Sequence, residues 1–204
     1  MKTKPLTLII FICTVISLNA QFINDNNYLS INTVPILGKT LELGYDANIK
    51  QNFSLDIYIG YVFNSKLSSP YKIGTQYELI NKSGYFLKTG TKFILKNNLK
   101  IFKPFFGLNL VNAIVIEKGI YDKDSDYYTP NEIVNQNSYN LGINGIIGFT
   151  SPATKRINID IGIQTGKILI NNLLDFHSYM PGMGVNFPDG VRLQGILRIK
   201  YRMK

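Results

Sequence analysis

Apolar and polar residues alternate along most of this chain with a period of two, and no helical period of 3.6 persists. In FSLDIYIGYVF (53–63), Phe53, Leu55, Ile57, Ile59, Tyr61 and Phe63 fall on one side of an extended backbone. Ser54, Asp56, Tyr58, Gly60 and Val62 fall on the other. The same alternation predicts eight strands: 28–34, 39–48, 53–64, 85–95, 101–117, 138–149, 157–166 and 191–203. Pro104, near the start of the fifth, predicts an irregular beginning there.

The links alternate in length. Those at 49–52, 96–100 and 150–156 are tight and rich in Asn, Lys, Ser and Pro, whereas 65–84, 118–137 and 167–190 run to about twenty residues. With 35–38 as a short first loop, every long link lies at one end. Structureless links of that length are uncommon in compact soluble domains, whereas short turns on one rim and long loops on the other characterise outer-membrane barrels.

Alternation alone does not say which face points outward. A soluble lipocalin-like barrel also has eight strands and would turn its apolar face inward around a ligand. Three features favour the inverted arrangement. Aromatics on the apolar faces gather near strand ends, Tyr45, Phe53, Phe93, Phe149 and Tyr201 toward the short turns and Tyr61, Phe63, Tyr85 and Tyr139 toward the long loops. The polar faces carry many glycines, which suit a crowded interior. They also carry charges of both signs, Glu42, Asp46, Asp56 and Asp160 against Lys88, Lys92, Arg192, Arg198 and Lys200. In a narrow lumen these must pair or stay hydrated. Asp160 and Arg198 stand at similar heights on neighbouring strands and are expected to pair.

The hairpin at 39–63, the glycine-rich LGINGIIGF (141–149) and the ending LRIKYRMK (197–204) give essentially all of 21–204 a resemblance to the small outer-membrane barrels of the OmpA/OmpX type. That resemblance implies an all-β, eight-stranded antiparallel up-and-down transmembrane β-barrel with short periplasmic turns and longer extracellular loops. Family members range from anchors and adhesins to a few lipid-modifying enzymes.

Composition refines the picture at the N-terminus. Lys2 and Lys4 precede the apolar run 8–18, and Ala20 offers a cleavage point, so residues 1–20 read as a signal peptide and 21–204 as the barrel domain. Its removal takes two lysines and no acid from a chain of net charge +9, leaving +7. The single cysteine, Cys13, leaves with it, so the mature chain has no disulfide. Export argues against nucleic acid as a partner of the basic excess.

Candidate chemistry is sparse. His177, the only histidine, has Asp175 and Ser178 close by, but a hydrolase needs base, nucleophile and acid converging in space, which neighbours in one loop rarely achieve. Asp122, Asp124 and Asp126 alternate as in calcium loops, yet Tyr127 stands where Gly is expected and Glu132 comes one residue early, so this is at most a weak calcium loop. No cofactor, confident metal site or catalytic residue is expected. The reading is a monomeric, non-enzymatic outer-membrane barrel of a Gram-negative envelope, with a filled lumen and loops that act in binding, adhesion or envelope integrity. Its expected partners are outer-membrane lipids and lipopolysaccharide, the barrel-insertion machinery and an unknown extracellular ligand. The alternatives are a lipid A or phospholipid hydrolase or acyltransferase, and a soluble ligand-binding barrel.

Overall fold

The computed structural model describes residues 27–50, 52–65, 77–95, 101–121, 133–171, 179–186 and 190–203. Residues 1–20, read as a signal peptide, lie outside them. The described residues form strands β1 (Tyr28–Asn32), β2 (Thr40–Lys50), β3 (Phe53–Ser65), β4 (Tyr77–Ile94), β5 (Lys103–Tyr121), β6 (Ile133–Pro152), β7 (Ile157–Asn171), β8 (Tyr179–Met180), β9 (Gly184–Asn186) and β10 (Val191–Arg202).

Eight of these close a barrel. Each strand from β1 to β7 pairs antiparallel with the next, β7 pairs with β10, and β10 returns to β1 with Ile31 opposite Ile199. Closure leaves the wall without an open edge, so the backbone groups of the spanning segments are satisfied within the wall, as a bilayer requires. Between β1 and β2 the chain turns through one short 3₁₀ segment, Val34–Gly38, with a proline in its first turn. Lys39 ends it in the left-handed region, at φ 54°, where its N–H donates to the Ile36 carbonyl at 2.9 Å.

Side chains alternate across the wall as the period of two requires. Leu41, Leu43, Ile59, Leu108, Ile147 and Ile161 stand exposed on the outside, with Ile59 57% and Ile147 59% accessible, while Glu42, Asp46, Asp56, Asn144 and Asp160 are buried within. This disposition excludes the soluble calyx, whose apolar face would line the cavity. Aromatic rows border the outer band. Phe93 lies opposite both Phe53 and Phe106, its ring 5.4 Å from that of Phe106, and Tyr61 lies opposite Tyr85. Phe93 and Tyr85 stand eight residues apart on β4, about 26 Å along the strand at 3.3 Å per residue, which at a tilt of about 40° is about 20 Å of height, within the apolar band of about 25 Å in outer-membrane barrels.

The wall is longer than the alternation predicts. β4, β5 and β6 have 18, 19 and 20 residues, whereas about 9–11 cross a bilayer. The pairs Glu78↔Ile120, Lys82↔Glu117 and Glu117↔Gln136 carry the sheet into segments read above as loops. Beyond the apolar band both faces of a strand meet polar surroundings, so Asn81-Lys82-Ser83 and Asn135-Gln136-Asn137-Ser138 show no apolar alternation to read. Pro104 causes no break either, since it lies in register opposite Phe149 and its carbonyl accepts from Leu95 N–H at 2.8 Å.

Inside, small residues make room for large ones. A Cβ on Gly44 would overlap the Tyr58 ring, and Gly148 faces Gly162 across β6 and β7 beneath the ring of Phe105. The lumen is therefore packed with side chains, as the diameter of an eight-stranded barrel favours.

Candidate functional site: a filled and plugged lumen

Three tiers of side chains occupy the interior. Nearest the short turns, Asp46 on β2 and Asp160 on β7 alternate with Lys92 on β4 and Lys200 on β10. Lys92 Nζ lies 2.9 Å from Asp46 and 3.1 Å from Asp160, and Lys200 binds Asp46 closely and lies 3.5 Å from Asp160. The four charges cancel in a closed ring.

Asp56 sits beside this ring, directly opposite Asp46 in the β2–β3 register. Two carboxylates so placed repel. Ser54 Oγ donates to Asp56 Oδ1 at 2.7 Å, while the Tyr58 hydroxyl donates to Asp46 Oδ1 at 2.8 Å and lies 3.3 Å from Asp56 Oδ2. A phenol has one proton to give, so Tyr58 leans on Asp46 and Ser54 serves Asp56.

In the middle tier Lys88 Nζ donates to Glu42 Oε2 at 2.7 Å and Asn32 donates to Glu42 Oε1 at 3.2 Å. Arg198 lies over the Tyr58 ring, 4.2 Å from its centroid, with an Nη 3.9 Å from Glu42. The expected Asp160–Arg198 ion pair is absent from the described contacts although the two residues are opposite in register. The short Asp160 side chain meets Lys92 and Lys200 instead, while the longer Arg198 reaches Tyr58. Phe105, Ile146 and Ile196 form a small apolar plug among these charges.

The tier toward the long loops holds a feature that the alternation does not predict. The short hairpin of β8 and β9 folds inward, β9 pairing with β10 through Arg192↔Asn186 and Leu193↔Val185. Its side chains Met180 and Met183 are fully buried against Phe86, Val111, Ala113 and Val115. Polar groups hold its backbone. Asn144 Nδ2 donates to the Gly182 carbonyl at 3.1 Å and Gln164 Nε2 at 2.8 Å, and Lys82 Nζ donates to the Tyr179 carbonyl at 2.6 Å. Tyr179 and Thr40 hydroxyls share a hydrogen bond of 3.1 Å, and Lys82 pairs with Glu117. Gly182 turns with φ 77°, a backbone that L side chains rarely adopt, directly against the Phe86 ring.

All nine charged residues singled out by the polar-face pattern are thus buried within the lumen: Glu42, Asp46, Asp56, Lys88, Lys92, Asp160, Arg192, Arg198 and Lys200. Two further charges, Lys82 and Glu117, join them, Lys82 from a segment read as loop and Glu117 from the last position of the fifth predicted strand; extending the period of two back from Lys88 and on from Val115 would have reached them. Asp122, Asp124, Asp126, Asp175, His177 and Ser178 lie outside the described residues. No cluster fit to hold a metal occurs among the described residues.

A closed wall, apolar outside and charged within, decides the architecture. The fold is a closed, eight-stranded antiparallel β-barrel turned apolar side out, the arrangement of outer-membrane barrels. No protein-family model matches the chain, and no curated protein matches it in sequence. Solved structures similar to it include Neisserial surface protein A (NspA), at 10% identity and TM-score 0.48 over 87% of this chain and 94% of that one. Another is the N-terminal β-barrel domain of Pseudomonas aeruginosa OprF, at 9% identity and TM-score 0.46 over 87% and 97%. A third is Ail, the attachment invasion locus protein of Yersinia pestis, at 11% identity and TM-score 0.41 over 87% and 94%.

Proposed function

We propose that the chain is a monomeric, non-enzymatic protein of a Gram-negative outer membrane that conducts no solute and acts through its long-loop end, in binding, adhesion or envelope integrity. The filled lumen carries this reading. From the Asp46 ring to the inward hairpin, side chains of both signs and two apolar clusters occupy the interior, which leaves the rims for function. Of the two rims, the long-loop end alone has an ordered wall standing well beyond the apolar band, built from β4, β5 and β6. In this reading, export follows cleavage of residues 1–20, assembly uses the barrel-insertion machinery, the outer wall meets membrane lipid and lipopolysaccharide, and an extracellular ligand meets the raised wall.

The test is complementation of a deletion strain. Wild-type protein is expected to restore surface adherence and detergent resistance. A variant whose β5–β6 hairpin is shortened by deleting 119–134 is expected to reach the outer-membrane fraction, keep its boiling-dependent gel shift and restore neither. Full restoration by the shortened hairpin would contradict the assignment to the loop end. A change in lipid A or phospholipid composition that depends on the protein would replace the reading with an enzymatic one.

A further inference from the structure

Every carboxylate among the described side chains, namely Glu42, Asp46, Asp56, Glu117 and Asp160, is buried in the lumen. Among the described side chains the exposed charges are all basic, and the charges along the sequence are not evenly balanced between the two ends. Lys39, Lys118 and Lys167 stand at the long-loop end, where the intervening sequence supplies Asp122, Asp124, Asp126, Glu132, Asp175 and Asp189. Lys50, Lys103, Lys155 and Arg156 stand at the short-turn rim, where segments 49–53, 95–103 and 152–157 contain no acid at all.

These four cations encircle the barrel at the β2–β3 turn, the start of β5 and the β6–β7 turn. They lie just beyond the aromatic row of Phe53, Phe93, Phe106 and Phe149, which is the level at which a bilayer's hydrocarbon gives way to its headgroups. Ile101 and Phe102, exposed immediately before Lys103, add apolar surface on the same rim. Arg156 is held there by its Nη1, which donates to the Tyr201 hydroxyl at 3.3 Å, and its side chain remains exposed. The buried charges of the lumen are Glu42, Asp46, Asp56, Glu117 and Asp160 against Lys82, Lys88, Lys92, Arg192, Arg198 and Lys200, so the lumen as a whole carries no net negative charge to set against this rim.

We propose that Lys50, Lys103, Lys155 and Arg156 form a collar that binds the phosphates of anionic phospholipid headgroups and gathers those lipids around the short-turn rim. A phosphate suits both residue types, as a point-charge partner for lysine and a forked one for arginine. The adjoining aromatic row selects a lipid source over a soluble anion, because it places the charges against a membrane surface. The proposal rests on the membrane-spanning reading.

Full-length protein in phosphatidylcholine vesicles doped with spin-labelled phosphatidylglycerol or phosphatidylcholine tests it, the immobilised fraction reporting lipid at the barrel surface. Phosphatidylglycerol is expected to be favoured about fivefold at low salt, the attraction of about one basic residue near an anionic surface, and to approach parity at high salt. The variant Lys50→Gln/Lys103→Gln/Lys155→Gln/Arg156→Gln, which leaves Lys96 and Lys100 of the same rim segment in place, is expected to lose most of the preference while keeping its boiling-dependent gel shift. Lys155→Gln/Arg156→Gln, confined to one turn, is expected to lose roughly half the preference. Lys39→Gln/Lys118→Gln/Lys167→Gln at the other rim is expected to keep it.

Parity in wild-type protein that floats with the vesicles overturns the collar alone, as does a preference that is undiminished in the fourfold variant or disappears with the loop-rim lysines. Lipid parity combined with rim-dependent pelleting on purified peptidoglycan assigns the rim to the cell wall and overturns the lipid proposal. Failure to float with any vesicle overturns the membrane reading beneath it.

Discussion

Asp46→Ala is expected to lower the stability of the folded barrel by about 3–5 kcal/mol, the cost of stripping one partner from a buried ion pair. Asp46 accepts from Lys92 at 2.9 Å and from Tyr58 at 2.8 Å, and it binds Lys200. Its removal leaves two ammonium groups sharing Asp160 alone, in an interior where neither reaches bulk water. Asp46→Asn, which keeps an acceptor but no charge, is expected to fall between the variant and the wild type. Adding Lys92→Met to Asp46→Ala is expected to cost less than the sum of the two single changes, because the second removes a cation that the first stranded. Urea titration of micelle-refolded protein, with the folded fraction read from unboiled gels, measures all of these. A midpoint for Asp46→Ala equal to that of wild type would show that the ring carries no stability.

Met180→Ala/Met183→Ala is expected to cost about 4 kcal/mol or more, since burying a methionine and then truncating it to alanine typically costs 2–5 kcal/mol at each site. Both side chains are fully buried against Phe86, Val111, Ala113 and Val115, and they are the apolar grip of a hairpin otherwise held by its short β9–β10 pairing and four polar side-chain contacts. The wall strands β1–β7 and β10 do not depend on that grip, so the expected result is a folded barrel with a released hairpin. Limited proteolysis is expected to cut within 179–186 in the variant and not in wild type, with the barrel fragment retaining its gel shift. Equal protection of the two proteins would contradict an inward-docked hairpin.

Particular residues show where sequence reading succeeds and where it stops. Leu41, Leu43, Ile59 and Ile147 meet one medium while Glu42, Asp46 and Asn144 meet another, and wherever two media flank a strand the period of two is legible. Above the apolar band that contrast vanishes, which is why Tyr77–Gly84 and Ile133–Asn137 read as loop although Lys82 and Gln136 are ordered on the inner face. Charge content of the lumen follows from the alternation, but partnership does not. Asp160 and Arg198 are neighbours in register, yet side-chain length sends one to Lys92 and the other to Tyr58. The hairpin at 179–186 carries too few residues for any period, and its burial depends on partners far away in sequence, Gly142 on β6 leaving room for Met183 and Phe86 on β4 packing where Gly182 has no side chain.

Single-channel recording from purified, full-length protein in a planar bilayer tests the central claim most directly, with insertion confirmed by the boiling-dependent gel shift of the same preparation. A lumen filled by the Asp46–Lys92–Asp160–Lys200 ring, the Phe105–Ile146–Ile196 plug and the docked hairpin is expected to give no stable conductance steps. Steady, ohmic steps from inserted wild-type protein would contradict it.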